Sequence, residues 1–249
     1  MNVLSVDKVS VSFRVSNYQN IGLKEYVIRR LQGTYQVKEI RAVRDVTFSL
    51  DRGEMLGIIG MNGAGKSTLL KAIAGILPTD GGNITVNGTM AAILELSSGF
   101  DGNMTVRENT YLRGALLGYT REFMNEAYDG ILDFAELKEF EDYQFKQLST
   151  GMQSRLGFSI SALVKPDLLI LDEVLSVGDG AFQAKSEKKM REIIDAGAAT
   201  LFVSHSTDQV RAMCNRVLWL DHGVCVECGS DVVGICGRYE EFLRRGLSG

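Results

Sequence analysis

Proline is scarce in this chain, which has two in 249 residues, at Pro78 and Pro166. No Pro/Gly-rich linker, internal repeat or low-complexity tract divides the sequence, so we expect one cooperative domain over residues 1–249. No uninterrupted apolar run reaches the roughly 20 residues of a membrane span, and the amino terminus lacks a basic segment followed by an apolar stretch. With 45% hydrophobic residues, these absences predict a globular, soluble chain that is not secreted.

An excess of positive charge is also missing, because 27 Lys and Arg stand against 31 Asp and Glu and the formal net charge is −4. A chain with this balance does not present its whole surface as an electrostatic footprint for nucleic acid, although local basic patches are compatible with it. We therefore predict no nucleic acid partner.

All four cysteines lie in the last quarter of the chain, and Cys225 and Cys228 have the two-residue spacing of a zinc knuckle. Apolar residues flank "DHG" at residues 221–223, which is a turn signal between two strands. Cys225 and Cys228 are then predicted on opposite faces of the second strand, which suits buried thiols better than a chelate. We favour packing over the alternative of zinc binding, and free thiols indicate the cytoplasm.

Short apolar runs alternate with amphipathic stretches along the chain. The runs "MLGIIG", "DLLILD", "TLFVSH" and "RVLWL" are typical of strands, and helical segments separate the first three. This alternation predicts a parallel sheet covered on both faces. Nearer the amino terminus, "VLSVDKVSVSF" and "VRDVTFSL" alternate apolar and polar residues. The predicted fold class is therefore α/β, with a mixed or parallel core sheet and an amino-terminal antiparallel β lobe.

A helical lobe is predicted over residues 97–165, between the strands "MLGIIG" and "DLLILD". "TVRE", from Thr105 to Glu108, is a capping box that opens one helix, and Ser149 is placed to cap another.

The segment "MLGIIGMNGAGKSTLLKAIAGIL" places an apolar strand, a glycine-rich turn and a helix in direct succession. Residues 60–67 match G-x-x-x-x-G-K-[ST], the P-loop pattern, in which backbone N–H groups and the positive end of a helix surround phosphate oxygens. Lys66 is predicted to reach the β- and γ-phosphates as a catalytic residue, and Ser67 to bind Mg²⁺. The predicted nucleotide-binding residues of this segment are Gly60, Asn62, Gly63, Ala64, Gly65, Lys66, Ser67 and Thr68.

Two further strands end in residues suited to phosphate chemistry. Asp172 and Glu173 follow the buried run "LLIL"; Asp172 is predicted to orient the Mg²⁺ shell, and Glu173 to polarise an attacking water. His205 ends the run "TLFVSH" just before "STDQ", which reads as a capping box. A histidine there can donate to the γ-phosphate and hold the water.

At "QLSTGMQSRLGFS" the chain resembles the ATP-binding subunits of ABC transporters, and the resemblance covers nearly all of it. It implies an ABC-type ATPase that binds ATP and Mg²⁺ and dimerises head to tail. In that family the signature serine and glycines of one subunit close over the γ-phosphate held by its partner. The matching residues here are Ser149 and Gly151, at a helix start that presents donors to an anion.

The chain departs from the family pattern in the signature segment, where Thr150 and Met152 replace the usual glycine and glutamine. Met152 cannot make the amide contacts of a glutamine, so a weaker contact with the partner's phosphate is expected. Glu95 is the nearest polar counterpart of a glutamine that commonly links core and helical lobe, and it is a candidate contact for Mg²⁺. Asp179 keeps the aspartate that ends the family's dimer-crossing loop.

For adenine stacking the family uses an aromatic residue after the first strand, and Phe13 fits this position, with Tyr18 as a second candidate. The segments "LELSSGFDGNMTVREN" and "DEVLSVGDGAFQAKS" resemble the branch that exports lipid-linked polysaccharides such as O-antigen, capsule and teichoic acid. This implies an integral membrane partner that handles the glycan and a peripheral location on the cytoplasmic face of the membrane. No carbohydrate-binding domain is expected before Gly249.

Other assignments compete with export. One is a soluble ABC-type ATPase in nucleic-acid repair, translation or cofactor assembly, and another is a P-loop kinase, which leaves "LSTGM" unexplained.

The stretch 14–41 is long for a connection between the first two strands. Leu23, Tyr26, Val27 and Leu31 recur at helical spacing, and several lysines and arginines add positive charge. We expect an insertion that docks beside the membrane partner, with a surface helix packed on its own β lobe as the alternative.

Overall fold

The computed structural model of the chain describes residues 1–16, 37–93, 99–162, 166–171 and 180–246. Several positions singled out from the sequence lie outside the described residues: most of the insertion at 14–41, and Tyr18, Glu95, Asp172, Glu173 and Asp179.

Nine strands form two sheets in the described part of the chain. The strands are β1 (Asn2–Ser16), β2 (Val37–Asp51), β3 (Met55–Ile59), β4 (Gly81–Val86), β5 (Met90–Ile93), β6 (Leu168–Leu171), β7 (Ala199–Val203), β8 (Arg216–Asp221) and β9 (Val224–Gly229). One sheet is antiparallel, with the order β2-β1-β4, and the other has the order β5-β6-β7-β3-β8-β9. In the second sheet all neighbours are parallel except β8 and β9.

The four predicted core strands become β3, β6, β7 and β8, and both predicted amino-terminal strands, β1 and β2, form as well. Strands β4 and β5 were not predicted from the sequence. The β4 side chains are exposed or half-buried, and β5 has only four residues, so neither shows a strong apolar signal.

Seven α-helices accompany the strands in the described ranges. They are α1 (Lys66–Ile73), α2 (Val106–Leu116), α3 (Arg121–Ala135), α4 (Thr150–Ala162), α5 (Gly180–Asp195), α6 (Thr207–Met213) and α7 (Val232–Gly246). Over these same ranges, no helix has both the length and the apolar character required to cross a bilayer.

The six-stranded sheet buries both faces. One face packs on the antiparallel sheet and on α1, whose Leu69 and Leu70 are fully buried. The other face packs on α4 to α7, through side chains such as Phe158, Phe182 and Ile235. Along β3, adjacent residues alternate between the two faces, and every one is buried. This double burial explains why the central strands are uninterrupted apolar runs.

A separate apolar cluster joins α2, α3 and α4, which together we call the helical lobe. The capping box predicted at Thr105 forms as expected: the hydroxyl accepts from the N–H of Glu108 at 3.1 Å, and the Glu108 carboxylate accepts from the N–H of Thr105 at 2.8 Å. Helix α4 belongs to two clusters. Leu156 and Ile160 pack within the helical lobe, whereas Phe158 and Ala162 pack against the six-stranded sheet.

The end of α3 adds a polar connection between the helical lobe and α5. Glu136, which has a left-handed backbone conformation at the end of α3, accepts from Arg155 Nη1 of α4 at 2.9 Å and from Lys185 Nζ of α5 at 3.3 Å. The Lys185 ammonium also lies 4.7 Å from the centre of the Phe134 ring.

The hairpin β8–β9 corrects the prediction for the cysteines. Cys225 pairs with Leu220 and Cys228 with Leu218, because the register shifts and skips Val226. The extra residue of this bulge places Cys225 and Cys228 on the same face, so the prediction of opposite faces was wrong. Both thiols pack against the apolar cluster between the two sheets. Burial raises the pKa of the Cys225 thiol to about 11, which disfavours the thiolate that metals bind.

Three backbone segments meet at the carbonyl oxygen of Ala42 in β2. A Cβ added at Gly65, at the start of α1, would overlap this oxygen, and one added at Gly223, in the β8–β9 turn, would lie 2.7 Å from it. Gly223 donates to the carbonyl of Ala64 at 2.9 Å and accepts from the N–H of Arg44 at 2.7 Å. The β8–β9 turn therefore holds the loop before α1 against β2, and glycine is required there for close approach.

We predict that Gly223→Ala lowers the free energy of unfolding by about 3 kcal/mol, because it adds a steric overlap with Ala42 to an unfavourable positive φ of 82°. Gly53→Ala is the matched control, since Gly53 has a φ of 77° but no atom within 4 Å of an added Cβ; it should cost about 1 kcal/mol. Urea unfolding of both variants measures the difference. Equal losses would show that the contact with Ala42 contributes nothing.

Candidate functional site

The loop between β3 and α1 has the geometry of an anion-binding loop. Gly65, the N-cap of α1, has a φ of 103° and provides no side-chain cap, and the first turn of α1 contains no acidic residue. The N–H groups of this turn are therefore not neutralised by a local carboxylate, and the helix dipole adds positive potential. Asn62 and Gly63, at the tip of the loop, are exposed. This geometry fits the phosphate-binding role predicted from the sequence.

Lys66 folds back over this loop. Its side chain is buried, and Nζ donates to the carbonyls of Gly60 at 2.6 Å and Met61 at 3.0 Å. The ammonium is thus held at the mouth of the loop and not in open solvent. Next to it, Ser67 is exposed and Thr68 half-buried, so both hydroxyls lie in the first turn at the same end of α1.

The carboxyl ends of β6, β7 and β3 lie at one edge of the sheet. Leu171, Phe202 and Gly57 occupy one row of the parallel ladder, and the phosphate loop follows β3 directly. His205 comes two residues after the end of β7 and is exposed. The structure therefore brings His205 and the phosphate loop to the same edge. Asp172 and Glu173 come next after Leu171 in sequence and lie beyond the described part.

The predicted capping box "STDQ" is only half present. The Ser206 hydroxyl accepts from the N–H of Gln209 at 3.4 Å, as expected for an N-cap of α6. The Gln209 side chain does not return to Ser206 but accepts from the Ser204 hydroxyl at 2.8 Å, and the Ser204 hydroxyl in turn accepts from the N–H of Ser206 at 3.0 Å. The buried Ser204 hydroxyl thus links the Gln209 side chain to the Ser206 N–H, in place of the direct contact of a full capping box.

The signature segment begins α4, as predicted. The exposed Ser149 accepts from the N–H of Met152 at 3.2 Å and so caps the helix. A Cβ added at Gly151 would find Ser149 Oγ at 3.9 Å as its nearest atom, so the space beside Gly151 is open. The first turn of α4 therefore presents main-chain N–H donors to solvent. The segment "LSTGM" contains no lysine.

Phe13 lies on β1 with 39% of its surface exposed. Its partner on β2 is Ile40, which is also exposed and precedes Ala42 by two residues. Since Ala42 contacts the start of α1, Phe13 is on the strand pair that adjoins the phosphate loop.

Two amide side chains near these sites had no recognisable signal in the sequence. Asn109 in α2 is fully buried, and Gln153 in α4 donates to the main chain just before Ser149. Asn109 and Gln153 belong to residue types that are common at such positions, so the sequence alone does not single them out. Only the folded structure reveals what they contact.

Similarity to known proteins agrees with this geometry. A sequence profile described as "ABC transporter" matches residues 43–176. The teichoic acids export ATP-binding protein TagH of Bacillus anthracis is 38% identical over 96% of this chain, although the chain covers only 42% of that protein. The O-antigen export system ATP-binding protein RfbB of Klebsiella pneumoniae is 39% identical over 92% of this chain and 94% of its own length.

Solved structures have the same fold. An ATP-binding subunit of an ABC transporter aligns over 99% of this chain with a TM-score of 0.71 and 23% identity. A dimeric ATP-binding cassette bound to ADP and Pi aligns over 91% with a TM-score of 0.66 and 18% identity. From the matched profile and these relatives, the chain belongs to the ATP-binding subunits of the ABC transporter family, which are ATPases.

Proposed function

We propose that this chain is the energy-coupling subunit of an exporter. Two copies bind ATP and Mg²⁺, dimerise head to tail, and drive an integral membrane partner that exports a lipid-linked polysaccharide. The observation that carries the proposal is the presence of two helix N-termini suited to an anion, those of α1 and α4. Of these two helices, only α1 has a lysine in its first turn, so the second N-terminus is best explained as the completion of a partner's site.

ATP binds first at the loop before α1. The N–H groups of residues 62–67 and the Lys66 ammonium surround the phosphates, and Thr68 adds a hydroxyl. To reach the phosphates, Lys66 exchanges its two carbonyl acceptors for phosphate oxygens, which gives a stronger charge-assisted contact. Phe13 stacks on the adenine, with Tyr18 as the alternative.

The oxygen ligands available at this end of α1 fit Mg²⁺. This ion prefers oxygen ligands and usually takes only a few of them from the protein. Ser67 offers an exposed hydroxyl, and Asp172 and Glu95 offer carboxylates in the segments that follow β6 and β5. When bound, Mg²⁺ neutralises charge on the β- and γ-phosphates.

Hydrolysis is an in-line attack of water on the γ-phosphorus. The bond between the γ-phosphorus and the bridging oxygen breaks as the new P–O bond forms, giving ADP and inorganic phosphate. Glu173 takes the proton of the water, and His205 holds the water and donates to the γ-phosphate. These residues act mainly by positioning, because this reaction needs little covalent help from the protein.

The partner subunit completes the site with Ser149 and the main-chain N–H groups near Gly151. Met152 carries no hydrogen-bond donor in its side chain, so the contact relies on the hydroxyl and the main chain. Asp179, which keeps the aspartate of the family's dimer-crossing loop, is our candidate for a contact across the dimer interface.

Support for polysaccharide export comes from the relatives named for export of teichoic acids and O-antigen. The chain lies at the cytoplasmic face of the membrane in this proposal. The insertion at 14–41 is our candidate for contact with the membrane partner and its anionic lipid surroundings, where each basic residue gains up to about 1 kcal/mol.

We predict that Glu173→Gln retains ATP binding but nearly abolishes turnover, because it removes the base and leaves the phosphate loop intact. ATP should then accumulate a closed dimer, which size-exclusion chromatography detects. Lys66→Ala should instead weaken nucleotide binding itself. A Glu173→Gln variant that hydrolyses ATP at the wild-type rate would exclude the catalytic role.

For Ser149, we expect that substitution by alanine lowers turnover by about 10²-fold if its hydroxyl stabilises the transferring phosphate as an organised donor. The affinity of the monomer for ATP should be unchanged, because Ser149 acts on the partner's nucleotide. Measuring both quantities on one preparation separates the two effects. An equal loss of monomer affinity would contradict the role in the partner's site.

Export itself is tested by isolating the tagged chain from native membranes in mild detergent. We expect a multi-span protein to copurify, and vesicles containing both proteins to translocate lipid-linked glycan only with ATP. Vesicles with Glu173→Gln are the control and should not transport. Recovery of the chain without any multi-span protein, or transport by the control, would refute the proposal.

A further inference from the structure

The peptide that carries Ser149 is held by a side chain four residues later. Gln153 Nε2 donates to the carbonyl of Leu148 at 3.2 Å and to that of Phe145 at 3.3 Å. The Leu148 carbonyl belongs to the same peptide group as the Ser149 N–H. One amide therefore fixes both ends of the short connection that leads from Phe145 to the signature serine.

This connection is itself anchored to the loop before α2. Residues Phe145–Gln147 form one 3₁₀ turn. The N–H of Phe145 donates to the carbonyl of Met104 at 2.9 Å, and the N–H of Lys146 to that of Gly102 at 3.1 Å. The rings of Phe100 and Phe145 stack with their centres 4.4 Å apart. The turn before Ser149 is thus fixed to residues 100–104 by main chain and by side chains.

Asn109 organises the loop that receives these contacts. Its side chain is fully buried and accepts from the N–H of Asp101 at 2.8 Å. It also donates to the carbonyls of Asp101, Met104 and Thr105 at 2.8 to 3.2 Å. A buried amide with all its contacts satisfied is a rigid element, because any displacement leaves polar groups unpaired.

We infer that Gln153 is a positioning residue for Ser149, at the end of a hydrogen-bonded support that starts at Asn109. It fixes the hydroxyl and the first N–H groups of α4 in the orientation that meets the partner's γ-phosphate. The inference rests on the proposed function of Ser149. It also distinguishes Gln153 from the glutamine that Met152 replaces: the Gln153 amide acts on carbonyls of its own chain and is not assigned a contact with the partner's nucleotide.

Gln153→Met tests this role, because methionine keeps the length of the side chain and removes both donors. We expect kcat of the dimer to fall roughly 10-fold, since misplacement of a group by about 1 Å costs up to 10²-fold. The affinity of the monomer for ATP should not change.

Gln153→Lys retains donors that reach both carbonyls and should restore kcat to within about 3-fold of wild type. The matched control is Gln183→Met in α5. Within the described part of the chain it loses one 3.3 Å bond to Glu187, and kcat should stay within about 2-fold of wild type.

Double substitution with Ser149→Ala separates positioning from general damage. If Gln153 acts through Ser149, Gln153→Met should cause little further loss of kcat in the Ser149→Ala background, whereas independent effects multiply. Multiplied losses, or an unchanged kcat for Gln153→Met alone, overturn the inference. If Gln153→Met does not fold, Gln153→Asn, whose amide is one methylene too short to reach both carbonyls, must give the same pattern. If Ser149→Ala itself has no effect, the proposed role of Ser149 fails, which is a different result from failure of Gln153 alone.

Discussion

The close approach of three backbone segments at the Ala42 carbonyl is the constraint on which the nucleotide site depends. A phosphate loop needs its N–H groups directed inward, and an unsupported glycine-rich loop would lose much backbone entropy on adopting that shape. Here the β8–β9 turn bonds to Ala64 while β2 contacts Gly65, so the antiparallel sheet and the core sheet hold the loop together. The entropy lost in ordering the loop is therefore part of the free energy of folding. The loop is already formed before any ligand binds.

Sequence patterns predicted the features that depend on local chemistry. The phosphate loop, the four apolar core strands and the cap at Ser149 each follow from residues adjacent in the chain. The errors occurred where residues close in the chain offer alternative pairings, and only the folded geometry decides between them. Val226 is skipped only because β9 pairs with β8 in a particular register. Gln209 turns away from Ser206 because Ser204 offers its hydroxyl. Glu173, Asp172, Glu95 and Asp179 stay predictions, since they lie beyond the described residues.

The two helix N-termini differ in what they can do alone. A helix N-terminus stabilises an anion by roughly 1 kcal/mol, which changes an affinity only about 5-fold. In the proposed function, the Lys66 ammonium at α1 adds a charge-assisted contact with the phosphates, so this end would recruit nucleotide from solution. At α4 the proposed contacts are made by Ser149 and the main chain, which would be too little to retain ATP. Such a site would respond to a nucleotide that another surface already holds, and this asymmetry would make nucleotide binding a condition for subunit contact.

Helix α4 has one face packed in the helical lobe and the other face packed against the core sheet. Its 13 residues span about 20 Å as a rigid rod. Rotation of this rod by about 10° around its buried carboxyl end displaces Ser149 by roughly 3 Å, the length of a hydrogen bond. The position of Ser149 is therefore coupled to both layers that α4 contacts, and in the proposed dimer a small tilt of this helix would change the distance from Ser149 to the partner's phosphate.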